Sequence, residues 1–251
     1  MSNEKVMDVF GHLEELRSRL IISLIAILVT TTLAYIFSDT ILNILRAPAG
    51  NMTLKAFSPL DGFMIRFRVA LYGGIFLAAP VWIFQLMRYI EPALYPHEKR
   101  YVIPAVIAMV VLFLTGNVFG YLILLNMFGP LTGMFGVPGE SPIEYFSAAD
   151  PYIAFVVYFL LATGLGFELP IVLFVLIKLG IVSPEFLRKQ RKIAWFIIFV
   201  LAELITPVSD PIVAPTLVMI PMIVLFEGAL FLARHAVPKR APSTTPEQKT
   251  V

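Results

Sequence analysis

The chain has 251 residues, 59% of them hydrophobic and 14% charged, against about 45–50% and about 25% in a typical soluble domain. With 21 Phe and a mean hydropathy of +0.86, the apolar surplus does not fit inside one water-soluble core, so a lipid-embedded chain is expected. The net charge of +2 gives no footing for nucleic-acid binding, and the absence of Cys excludes disulfide and thiolate chemistry.

Residues 5 to 20 read as an amphipathic helix leading into the first span. At 100° per residue Val6, Phe10, Leu13 and Leu20 share one face. Asp8, His12, Glu15 and Arg19, at spacings of 4, 3 and 4, form a polar stripe opposite, which points Glu15 away from the apolar contact. Glu15 and Arg19 are then either a solvated i,i+4 pair on an interfacial helix, or Glu15 is a carboxylate presented at the membrane surface to a cationic ligand.

Six apolar segments follow, measured against the roughly 20 helical residues that cross a bilayer core. They run from about Leu20 to Phe37, Val69 to Ile90, Tyr101 to Phe128, Tyr152 to Leu179, Ile193 to Ile205 and Ile212 to Ala233. The fifth is short, and the sixth contains Pro215 and Pro221. No small-residue cleavage site follows the first, which is therefore expected to be retained. The connections 38–68 and 129–151, rich in Pro and Gly, read as short caps, and the tail 238–251 as disordered. Residues 1–237 are expected to form one six-helix membrane domain. Of the 19 Lys and Arg, 15 fall on the side of both termini and the loops near 95 and 185, and four on the other, which predicts both termini in the cytoplasm.

Three carboxylates stand out beyond Glu15. Glu98 lies in a short loop, Glu91 to Arg100, stiffened by Pro92 and Pro96. It either balances Lys99 and Arg100 or is held for an arginine, which a carboxylate takes bidentately. Glu168 falls within the fourth span, where a charge costs at least about 2.5–3.5 kcal/mol. Pro170 invites a bend there, and Gly164 and Gly166 allow close approach of a helix or of water. Glu168 is either a hydrogen-bonded carboxyl between helices or a functional group in a polar indentation. Glu203 lies near the outer end of the fifth segment, and Glu227 near the cytoplasmic end of the sixth.

His12, His97 and His235 all lie at the cytoplasmic surface, which leaves no His-Glu-x-x-His metal site, and no cofactor is expected. Neither a Gly-x-Ser-x-Gly elbow nor a phosphate-binding Gly-Lys-Ser/Thr loop is present. Hydrolysis and ATP-driven pumping lack their chemistry, so any transport work is driven by a gradient or a partner.

The runs His12 to Leu20, Pro92 to Arg100, Phe167 to Val172 and Ser183 to Lys189, and Thr206-Pro207 followed by Asp210, together resemble the TatC family. That family is the multispanning core of the twin-arginine protein translocase. The resemblance implies an all-α polytopic membrane protein whose six helices form a curved, cup-like wall, the fifth and sixth too short for an unperturbed bilayer. It implies a non-enzymatic receptor in a prokaryotic cytoplasmic membrane, which takes folded cargo with twin-arginine signal peptides. Single-span TatA-family and TatB-family subunits are the implied partners, with self-association in the receptor complex and drive from the proton gradient. Glu15 and Glu98 match the carboxylates that recognise the arginine pair. Glu168 matches a membrane-buried glutamate exposed on the concave face, and Asp210 and Pro48 match functional outer-loop positions. Thr206 and Pro215 fall in the partner-contact region, where Pro215 stands in place of a usual glutamine; Glu203, where an apolar residue is common, is expected from its proximity in sequence to supply a replacement polar group there.

The main rival is a secondary transporter in which Glu168 relays protons, which needs discontinuous helices meeting at the midplane. A scaffold for the single-span partners is another, and it predicts that Glu15 and Glu98 are dispensable for peptide binding.

Overall fold

The computed structural model describes residues 9–50, 53–94, 96, 99–134, 146–178, 182–205 and 213–236. Glu98, Thr206, Asp210 and the tail 238–251 lie outside the described residues.

Helix α1 (Val9–Ile36) is continuous, so from Val9 on the amphipathic segment and the first span form one rod of 28 residues, about 42 Å long. Ser23 and Thr32 donate within the helix to the carbonyls of Arg19 and Leu28, whereas the Thr31 hydroxyl is buried with no partner among the described residues. Only 6% of its most apolar stretch is buried, against 28% and 39% for the third and fourth spans, which puts α1 at the margin of the molecule.

The connection 38–68 is more ordered than a short cap. It carries α2 (Ser38–Arg46), a 3-10 turn over Ala47–Ala49 that buries Pro48, and the strand β1 (Thr53–Lys55). Gly50, at φ 56°, turns the chain out of the 3-10 turn while its N–H still donates to the Ala47 carbonyl. Strand β2 (Phe146–Ala148) pairs parallel with β1, with Leu54 opposite Ser147. This small sheet was not legible as alternating hydrophobicity because each strand has only three residues. Tyr121 and Tyr152 fasten the same end by donating to the carbonyls of Ile44 and Leu45.

The second span is a bent pair, α3 (Pro59–Leu77) and α4 (Ala79–Ile90), at 55°. A capping box starts α3: Ser58 accepts from the Leu60 N–H, and Asp61 accepts from the N–H groups of Phe57 and Ser58. Pro80 breaks the ladder at Ala78–Ala79. Two side chains serve the carbonyls at the break: the Trp82 indole donates to Ile75 (3.1 Å) and Thr30 of α1 to Gly74 (2.8 Å). A Cβ at Gly74 would collide with Thr31, so glycine there is what lets α1 lie against α3.

Helices α5 (Val102–Met134), α6 (Ala149–Gly166), α7 (Leu169–Lys178), α8 (Pro184–Lys189), α9 (Arg191–Ile205) and α10 (Val213–Ala236) complete the described chain. The fourth span carries a two-residue turn at Phe167 and Glu168, between α6 and α7, and still runs as one apolar helical stretch, Ala149–Ile177. By length and apolarity, Gly11–Ile36, Lys99–Asn126 and Ala149–Ile177 are spans, and the bent pair makes a fourth. Helix α9 has 15 residues, about 22 Å, and the apolar stretch Pro215–Phe231 of α10 reaches about 25 Å. Both fall short of a core of roughly 30 Å.

The helices pack as a row: α1 on α3 and α4, these on α5 and α6, and α10 on α7 and α9. The terminal members, α1 and α9, do not pack extensively on one another among the described residues, so the row is an open wall. Its main core gathers Val69, Ile153, Val156, Phe159, Val218 and Met222 from α3, α6 and α10.

Candidate functional site

Helix α1 reaches the rest of the molecule with its polar stripe, contrary to the expected orientation. Leu13 and Leu20 are exposed, while His12, Glu15 and Arg19 turn toward α4. The His12 ring stacks on Tyr89 at 4.3 Å between centroids, and Arg19 Nη1 donates to Gln85 Oε1 at 3.2 Å. Lipid inverts the usual rule: the apolar face goes outward and the polar face meets protein. Glu15 thus lies between two ties to an antiparallel helix, and its side chain is only 16% exposed.

Arg19 also donates through Nη2 to Glu15 Oε1 at 3.1 Å. One guanidinium therefore bridges a carboxylate on α1 and an amide on α4. No described residue donates to the second Glu15 oxygen. Gln85 and Tyr89 were not singled out from the sequence, although a Gln and a Tyr four residues apart in a largely apolar helix are a readable polar stripe. Where Glu98 stands relative to Glu15 lies outside the described residues.

Glu168 occupies the turn between α6 and α7 and is 5% exposed, so it is buried in the wall and not open on a concave face. Neither of its carboxylate oxygens has a hydrogen-bond partner among the described residues. Beside this turn lies a polar contact that sequence reasoning missed. Tyr72 of α3 donates to Asn117 of α5, and Asn117 donates to the Phe113 carbonyl. Asn117 also abuts Gly164 so closely that a Cβ there would collide with it. The signal was an Asn between Gly116 and Gly120 in an apolar helix.

At the far end of the row, Glu203 is half-buried on α9 and its Oε2 is sealed with no partner among the described residues. Pro215 is buried at the start of α10. Glu227 does not reach free solvent alone: it pairs with Arg191 at 2.7 Å, joining α10 to the N-terminal end of α9.

Comparisons with known proteins agree with one another. Residues 11–221 match the family described as Sec-independent protein translocase protein (TatC). The Sec-independent protein translocase protein TatC of Carboxydothermus hydrogenoformans is 36% identical over 238 residues, covering 94% of this chain and 96% of the relative. That of Aquifex aeolicus is 37% identical, covering 93% and 98%. A crystal structure of the twin-arginine translocase receptor TatC superposes with a TM-score of 0.75 at 36% identity, covering 89% of this chain and 98% of that one. A second, in DDM, gives 0.77 over 88% and 99%.

Proposed function

Because the chain belongs to the TatC family of Sec-independent protein translocase proteins, we propose that it is the receptor that binds twin-arginine signal peptides of folded cargo at the cytoplasmic face. It is a multi-pass membrane protein and a translocase subunit that works within a complex, and it is not an enzyme.

The observation that carries the reading is Glu15, a carboxylate held by Arg19 in the N-terminal part of α1, on a helix whose opposite face is apolar and exposed. A signal peptide offers two guanidiniums followed by an apolar stretch, so its receptor needs carboxylates next to an apolar surface. Glu15 supplies one, and Glu98 on the adjoining loop the other. Single-span TatA-family and TatB-family subunits dock at the α9–α10 end, where Glu203, Thr206 and Pro215 contribute, and further copies of this chain assemble in the receptor complex. The proton gradient drives transport. Pro48 stiffens the first outer loop, Asp210 acts in the last, and Glu168 places a polar group within the membrane wall.

Photocrosslinking of signal peptides to membranes containing this protein tests the reading. An Arg-Arg peptide crosslinks and a Lys-Lys peptide does so at least about tenfold less, because an ammonium lacks the fixed, directional donors of a planar guanidinium. Glu15→Ala and Glu98→Ala each abolish most of the Arg-Arg signal. Indifference both to the Lys-Lys exchange and to the two alanine variants would overturn the receptor role.

A further inference from the structure

We propose that Gln85 and Arg19 are positioning residues for Glu15: Gln85 holds the Arg19 guanidinium, and Arg19 holds one Glu15 oxygen, so that the second is offered to an incoming arginine in a fixed direction. The proposal rests on the receptor reading of Glu15 given above.

Gln85 is buried in an apolar stretch of α4, where an unpaired amide is costly. Its carbonyl has to face Arg19, because a guanidinium only donates. Arg19 in turn spends its two Nη groups on two different helices, and its Nε is buried with no partner among the described residues. A guanidinium free to choose would turn that donor to water. Its pose is therefore dictated by the two acceptors it spans. The His12–Tyr89 stack ties the same two helices on the other side of Glu15, which removes the remaining freedom of α1 to roll on α4.

The consequence is specificity as well as affinity. With Oε1 occupied, an incoming guanidinium meets Glu15 end-on at Oε2 and not as a two-toothed fork. Direction then matters: a planar guanidinium loses contact when the carboxylate swings, whereas a lysine ammonium accepts many orientations. A Glu15 freed from Arg19 would bind both peptides loosely and tell them apart poorly.

The test is a titration of labelled Arg-Arg and Lys-Lys signal peptides against the detergent-solubilised full chain, comparing wild type, Gln85→Leu, Glu15→Gln and the double variant. We expect Gln85→Leu to weaken Arg-Arg binding about fivefold and to narrow the Arg-Arg over Lys-Lys preference, with no further loss when it is added to Glu15→Gln. Gln85→Met, similar in length, repeats the measurement should the leucine variant not accumulate. Wild-type affinity and preference in Gln85→Leu, or an equal loss with and without Glu15, would overturn the positioning role and leave the receptor reading intact. Wild-type binding by Glu15→Gln would remove both.

Discussion

Glu203 sets a residue-scale conflict between stability and use. Its sealed oxygen has no partner among the described residues, and an unsatisfied buried polar atom costs about 1–3 kcal/mol. Replacing it with leucine therefore raises the unfolding temperature of the solubilised chain. If the carboxylate serves partner contact, the same substitution lowers co-purification of the single-span subunits. Unchanged recovery would mean that Glu203 is not part of their docking surface. Glu15 and Glu168 could be picked out from the sequence because a carboxylate beside or inside an apolar run is costly enough to need a reason. What the spacing of His12, Glu15 and Arg19 could not tell was the direction of the stripe. A helical period reports that two faces differ, but which one meets protein depends on whether the surroundings are water or lipid. Gln85 and Asn117 escaped notice because a single amide barely disturbs the hydropathy of an apolar helix.

Element lengths follow the same logic. The 15 residues of α9 come to about 22 Å, so the bilayer beside it has to thin or its ends have to be covered. Inserting one turn of four apolar residues into α9 restores a length of about 28 Å. If local thinning lowers the barrier to cargo passage, export of a twin-arginine reporter falls several-fold while the variant still accumulates in the membrane. Unimpaired export would count against thinning. The short fifth segment was visible in the sequence because its flanks are charged or proline-rich. The bend in the second was not, since hydropathy averages across Ala78–Ala79–Pro80. Only where the Trp82 and Thr30 donors sit does the break become a stable shape instead of a frayed helix.

The whole molecule is an open wall sewn together at one end. There Arg68 of α3 bonds both the carboxylate (3.0 Å) and the carbonyl of Asp150 on α6, just after the β1–β2 pairing. Arg68→Ala leaves the half-buried Asp150 with no cation and costs about 1–3 kcal/mol. Hydrogen exchange checks it: amides of Thr53 to Lys55 lose protection while those in the core of α6 keep theirs. An equal loss throughout would mean that the seam has no local stability of its own. The class of the fold was legible in the sequence, because lipid imposes a length and a polarity on every span. The seam was not, being made of three-residue strands and one ion pair between positions 82 residues apart. That separation has a consequence in time. A ribosome adding about 5–20 residues per second makes β1 several seconds before β2 exists. During that interval the first strand stands with its backbone unpaired, and the sheet cannot close until α5 has been threaded and the chain has come back. A chain arrested midway through insertion carries an open strand edge as its mark, and a completed one does not.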